Sequence, residues 1–120
     1  MPPTALFIEH RTLPGKRGEM VRIWERHVKP RVEGNPAHLF YFFCEDALDP
    51  DVVRVFQLYE SDEAMSGFLG GEWYQDYLLE VSAVVIAPPR IFPAPLVWSK
   101  TAPSIHSHPP IASPHASCSA

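Results

Sequence analysis

The chain has 120 residues, 46% of them hydrophobic, which is enough apolar side chain for one packed domain and too little length for two. Its formal net charge of -4, with no run of Lys or Arg, argues against a nucleic-acid partner. No segment approaches the roughly 20 apolar residues that span a bilayer, and Met1-Pro2-Pro3-Thr4 is not a basic stretch leading into an apolar run, so neither a membrane partner nor a secretory signal is read.

In chain order, Ala5 to Thr12 is a strand that turns polar at Glu9-His10-Arg11 and ends at the Pro14-Gly15 turn. From Lys16 a helical period places Met20, Ile23, Trp24, His27 and Val28 on one stripe, where His27 reads as a packing residue. Pro30 removes a backbone donor and must kink this helix or begin another turn, and Gly34-Asn35-Pro36 stops it. His38 to Cys44 is a second strand, dense in aromatics, joined by the acidic turn Glu45 to Asp51 to a third, Val52 to Tyr59, so the two form a hairpin. Ser61 caps a helix whose first turn carries Asp62 and Glu63. Gly70-Gly71 breaks that helix before a second, Glu72 to Val81. A final extended stretch runs from Ala83 to Trp98. Its prolines at 88, 89, 93 and 95 suit an edge strand or an arm reaching to a neighbour.

Residues 4–100 therefore form one domain of order β-α-β-β-α-β, an α+β ferredoxin-like arrangement. Residues 101–120 are a Pro, Ser and His-rich tail expected to be disordered, with His106, His108 and His115 incidental to its composition and no metal site assigned. Cys44 lies in a strand and Cys118 in the tail, contexts too unlike for a staple, so a reduced, cytoplasmic protein is expected. Leu39 to Phe43 and Val52 to Leu58 are apolar on nearly both faces, whereas helices can cover only one. The other face calls for a second copy, giving an isologous homodimer.

With that layout the chain resembles the antibiotic biosynthesis monooxygenase family of small dimeric α+β barrel proteins. The resemblance rests on the opening strand with Pro14-Gly15-Lys16-Arg17, the hairpin, the corner Phe56-Gln57-Leu58-Tyr59-Glu60-Ser61-Asp62-Glu63-Ala64, and the closing arm. It implies oxygenation by dioxygen, without metal, flavin or other cofactor, of a small electron-rich aromatic such as a quinol, an anthrone or a polyketide-like ring. Gln57 stands where many members of the family have Glu, and Phe68 where many have His. A titratable pair is thus replaced by an amide and a ring. The chemistry would need one base in a dry aromatic cavity and donors for an oxyanion. His10 and His38 are the candidate catalytic bases, although either could serve as an ordinary hydrogen-bonded strand residue. Tyr41, Gln57, Tyr59, Phe68, Trp73, Tyr77 and Arg90 are the candidate substrate contacts, with core packing, dimer contacts or an ion pair as their structural alternatives. An isomerase or cyclase on the same scaffold, or a dimer that binds a small ligand without catalysis, would use the same frame.

Overall fold

The computed structural model describes residues 2–100. The expectation for the tail and for Cys118 therefore lies outside the described residues. Four strands, β1 (Thr4–Arg11), β2 (His38–Glu45), β3 (Val52–Tyr59) and β4 (Arg90–Pro95), form one antiparallel sheet in the order β2-β3-β1-β4. Four helices, α1 (Arg17–His27), α2 (Lys29–Glu33), α3 (Asp62–Leu69) and α4 (Glu72–Val81), complete the ferredoxin-like α+β fold.

Local chemistry accounts for the element ends. Gly15 takes φ 76° in the turn before α1, a conformation that costs a side-chain-bearing residue more than glycine. Arg17, at the start of α1, donates from Nη1 to the carbonyls of Asp46, Asp49 and Val52 at 3.0, 2.9 and 3.2 Å, so one guanidinium shapes the β2–β3 turn. The acidic side chains of that turn are committed locally. Asp46 accepts from the backbone of Leu48 and Asp49 and pairs with Arg54, and Asp49 pairs with Arg11. Pro30 opens α2 from its first turn, where a missing donor is harmless. Ser61 Oγ accepts from Ala64 N at 3.1 Å, closing the N-terminus of α3. Ser61→Ala should lower stability by about 1 kcal/mol, read as a shift in urea midpoint at unchanged slope; no shift would mean that solvent serves the cap equally well.

The closing stretch is less extended than the sequence suggests. Only Arg90–Pro95 is strand, while residues 82–89 form turns with one bridge, Thr12 to Val85. The expectation of an edge strand holds. Leu96 N donates to Pro3 O at 3.0 Å. Because successive residues of a strand present their backbone groups to opposite sides, Pro93 and Pro95 face the open edge.

The helices cover one face of the sheet. Met20 and Ile23 of α1 pack with Tyr77 and Val81 of α4, Val28, Val84 and the strand residue Val53. A second cluster joins Leu6, Ile8, Val55 and Tyr59 to Met65, Phe68 and Leu69 of the α3 segment. The other face is apolar and uncovered. The registers Phe42↔Phe56, Phe56↔Phe7 and Phe7↔Phe92 set four phenylalanines in one row across all four strands. Each is between 37% and 58% exposed, and the Phe7 and Phe56 rings meet edge to face at 5.7 Å. No helix among the described residues is long and apolar enough to cross a membrane.

Candidate active site

Alternation along the strands decides which side chains face the helices. On β1 these are Thr4, Leu6, Ile8 and His10, and on β3 they are Val53, Val55, Gln57 and Tyr59. On β2, Tyr41 and Phe43 share that face. His38 also reaches it, although an odd spacing from Tyr41 would place it on the other side of a regular strand. The register shift between His38 and Phe40 supplies the extra residue, a bulge that turns His38 inward beside Tyr59.

Between the two core clusters lies a narrow cavity lined by Ile8, His10, Val28, Tyr41, Val55, Gln57, Phe68, Leu69, Trp73, Tyr74 and Tyr77. Its volume of about 20 Å³ suffices for roughly one water molecule. An aromatic series runs over it: Phe68 meets Trp73 at 5.0 Å, Trp73 meets Tyr74 at 5.4 Å and Tyr74 meets Tyr77 at 5.9 Å. Gly71 makes room for the indole, since a Cβ there would lie 2.6 Å from Trp73 Cδ1. Arg31 lies over the same ring at 4.7 Å. Trp24 Nε1 donates to Tyr41 Oη at 2.9 Å.

Two polar groups stand out. His10 is 3% exposed, and its Nδ1 has no hydrogen-bond partner among the described residues. Such an orphan is uncommon, because burying a polar atom without a partner is unfavourable. Burial pushes the imidazole down from 6.5 to about 4, so it is neutral at pH 7. Gln57 Oε1 accepts from Tyr59 Oη at 2.7 Å and lies 3.0 Å from His38 Nε2. His38 Nδ1 in turn lies 2.9 Å from Asn35 Nδ2. Burial also lowers the affinity of His38 for a proton, partly opposed by its bond to Gln57. Tyr41, Tyr59, Tyr74 and Tyr77 are all pushed above the usual phenol range by burial and stay protonated.

The His10 shift has a measurable consequence for folding. Between pH 6.5 and about 4 the unfolded chain binds a proton at His10 that the folded chain refuses. Stability is complete above 6.5 and falls as the pH drops through that window, by about 3 kcal/mol in total. Urea titrations of the parent chain and His10→Phe should diverge in slope against pH over that range. Parallel curves would sink the assignment, because the carboxylates common to both proteins contribute equally.

Of the residues singled out from the sequence, His10, Tyr41, Gln57, Phe68, Trp73 and Tyr77 meet in this cavity. Tyr59 and His38 stand behind Gln57 as its partners. Arg90 is elsewhere. Its side chain is 68% exposed, 3.7 Å from Glu9 and stacked on Phe92 at 5.3 Å, because an edge strand with exposed residues directs it away from the helices. His27 is the packing residue the sequence suggests, its ring 6.0 Å from that of the buried Tyr77 and its Nε2 3.2 Å from Glu80 at the junction of α1 and α4. Tyr74, Ile8, Val28, Val55 and Leu69 complete the lining. Tyr74, with Trp73 and Tyr77, is one of the rings the sequence offers to such a site, whereas the other four read in the sequence only as core residues. Asn35 reads in the sequence as a turn residue, and that turn, closed by His38 N donating to Asn35 O at 3.1 Å, brings the two side chains together.

A family model described as antibiotic biosynthesis monooxygenase matches residues 4–78. No curated protein matches the chain. Among solved structures, a candidate antibiotic biosynthesis monooxygenase from Chloroflexus aurantiacus is similar with TM-score 0.66 and 21% identity, over 81% of this chain and 95% of that one. The Rv0793 protein of Mycobacterium tuberculosis is similar with TM-score 0.72 and 18% identity, over 82% and 99%. A candidate antibiotic biosynthesis monooxygenase from Caulobacter crescentus has TM-score 0.74 and 16% identity, over 81% and 92%. At these identities the likeness to solved structures is one of fold.

Proposed function

The chain belongs to the antibiotic biosynthesis monooxygenase family, and from that premise we propose that it oxygenates a small electron-rich aromatic with dioxygen, His10 acting as the base. The observation that carries this reading is the unpartnered Nδ1 of a neutral, buried imidazole in an aromatic cavity. A base of this kind accepts a proton only when an anion forms beside it, since burial disfavours an isolated imidazolium. Removal of a proton from a phenol or an anthrone-type CH₂ creates that anion. The electron-rich anion then reacts with dioxygen. For an anthrone, a C–O bond forms and the O–O bond breaks; one oxygen atom remains as a ketone and the other leaves as water with the two substrate hydrogens.

The register supports a particular substrate shape. Gln57 faces Leu6 across β1 and β3, and His10 lies four residues beyond Leu6, about 13 Å along the strands. The two polar groups therefore sit toward opposite ends of the cavity. This suits a ring whose acidic position and oxygen lie across from each other, as in an anthrone or a hydroquinone. The cavity as it stands holds nothing larger than water. Entry of a ring requires the lining to move apart, and Phe68 and Trp73 flank the Gly70-Gly71 link between α3 and α4.

The row of phenylalanines on the uncovered sheet face supports an isologous homodimer, sheet against sheet. Cys44, exposed on that face, fits a reducing cytoplasmic setting.

Oxygen uptake with a panel of anthrones and hydroquinones tests the reaction. The protein should accelerate uptake above the uncatalysed rate for at least one of them, with product formation stopping when air is excluded. Conversion that proceeds equally without air would point instead to an isomerase or cyclase using His10 as acid and base. No conversion of any substrate would leave a ligand-binding dimer.

A further inference from the structure

We propose that Asn35, His38 and Tyr59 are positioning residues that lock the side-chain amide of Gln57 with its NH₂ group toward the cavity, making the site selective for ligands that present an acceptor oxygen. A backbone N–H can only donate, so it fixes the polarity of whatever it bonds. The backbone N–H of Ala37 donates to Asn35 Oδ1 at 3.2 Å. That bond identifies the oxygen of the Asn35 amide, so the atom 2.9 Å from His38 Nδ1 is the amide nitrogen, a donor. His38 Nδ1 must then be the acceptor, and in the neutral imidazole the proton sits on Nε2. Nε2–H donates to Gln57 Oε1 at 3.0 Å. Tyr59 Oη, on a side chain with no exposed surface, donates to the same oxygen at 2.7 Å.

Both lone pairs of Gln57 Oε1 are thereby used. Rotating the amide by half a turn would set its NH₂ against the His38 N–H, donor against donor, in a buried site where such a mismatch is unfavourable. The NH₂ group, with no partner among the described residues, is available to the cavity that Gln57 lines. A carbonyl or phenolate oxygen satisfies it; a ligand offering only a donor does not. The same chain occupies both ring nitrogens of His38, so His38 has no lone pair free to take a proton from a ligand. His10 has one.

This inference shares the cavity of the oxygenase reading but not its chemistry, and the two can fail separately. Long-range ¹H–¹⁵N spectra of the full chain labelled at histidine should show His38 as the Nε2–H tautomer at neutral pH, and Asn35→Ala should turn it into a mixture of tautomers. A His38 found with its proton on Nδ1 in the parent chain would overturn the proposal. For the ligand, acetophenone and ethylbenzene differ essentially by one carbonyl, and their binding can be compared by calorimetry. After correction for their transfer from water, acetophenone should be favoured by about tenfold, the worth of one net hydrogen bond. Gln57→Leu should erase that preference, and Asn35→Ala and Tyr59→Phe should each reduce it several-fold. Equal affinity for the two probes, binding of neither, or a preference unchanged in Asn35→Ala and Tyr59→Phe would each defeat the idea. Asn35 lies in a surface turn, so its variant should remain folded. A protein that shows the tautomer and the ketone preference but consumes no oxygen with any anthrone keeps the lock and loses the reaction. Oxygen uptake without the preference does the reverse.

Discussion

His10→Gln is expected to slow the oxygen-dependent conversion of an anthrone by about 10²- to 10⁴-fold, with a much smaller change in KM. Glutamine approximates the length and polarity of the imidazole and can hydrogen-bond, so the cavity wall survives while the proton acceptor is lost. The contrast with His38 makes the experiment decisive. His38 already spends Nδ1 on Asn35 and Nε2–H on Gln57. It lies behind Gln57 rather than in the cavity lining, so His38→Gln should reduce the rate by about tenfold, the effect of a loosened hydrogen bond. Initial rates in air-saturated buffer measure both. A His10→Gln enzyme within tenfold of the parent would remove His10 as the base, and a larger loss from His38→Gln than from His10→Gln would reverse the assignment. The pH profile adds a check on sign. With the His10 pKa lowered to about 4, the free enzyme keeps its base unprotonated throughout the neutral range, so the acid limb of kcat/KM should fall near that value rather than near 6.5.

Phe56→Glu should convert a dimer into single chains of 13.5 kDa. Phe56 lies second in the row of four phenylalanines, flanked by Phe42 and Phe7. In the isolated chain its ring is 37% exposed, so a carboxylate there reaches water and the protomer tolerates it. Between two sheets the same carboxylate would be desolvated twice, once in each copy, with no cation in its own row to pair with. Loss of a central aromatic anchor typically weakens an interface by about 2 to 4 kcal/mol per site. Native mass spectrometry or light scattering over a concentration series reads the outcome. If Phe56→Glu keeps the mass of the parent dimer, the sheet face is not the interface; if the parent itself has the mass of one chain, the row needs another explanation.

Strands, helices and their order were readable in the chain because each local preference agreed with the fold. Pro14-Gly15, the Ser61 cap and Gly70-Gly71 fall at the ends they mark. The double-sided apolar character of the hairpin also showed correctly that one face lacked a cover. The site was harder to read. Its residues come from strands whose inward face follows parity, and parity breaks at the bulge after His38, which nothing in His38-Leu39-Phe40 announces. A regular strand would have put His38 opposite Tyr41, and no count along the chain could pair it with Gln57. His10 looked like a polar strand end between Glu9 and Arg11. It is instead buried, because alternation turns its two neighbours outward and leaves it under the α1 and α4 cluster. Arg90 was placed near the ligand because arginines suit oxyanions, but its position at the end of an edge strand directs it to Glu9.

The two edges of the sheet are unequal, and this limits how copies of the molecule can join. The open edge of β4 lacks amide hydrogens at Pro93 and Pro95, so a foreign strand laid against it would find carbonyls without donors. The open edge of β2 retains its donors. A chain with one competent edge can pair once, edge to edge, giving at most a finite eight-stranded ribbon capped by proline at both ends. Filament growth needs two competent edges per copy. Restoring the second edge, by replacing both prolines with threonine, would convert a self-terminating fold into a candidate for end-to-end polymerisation.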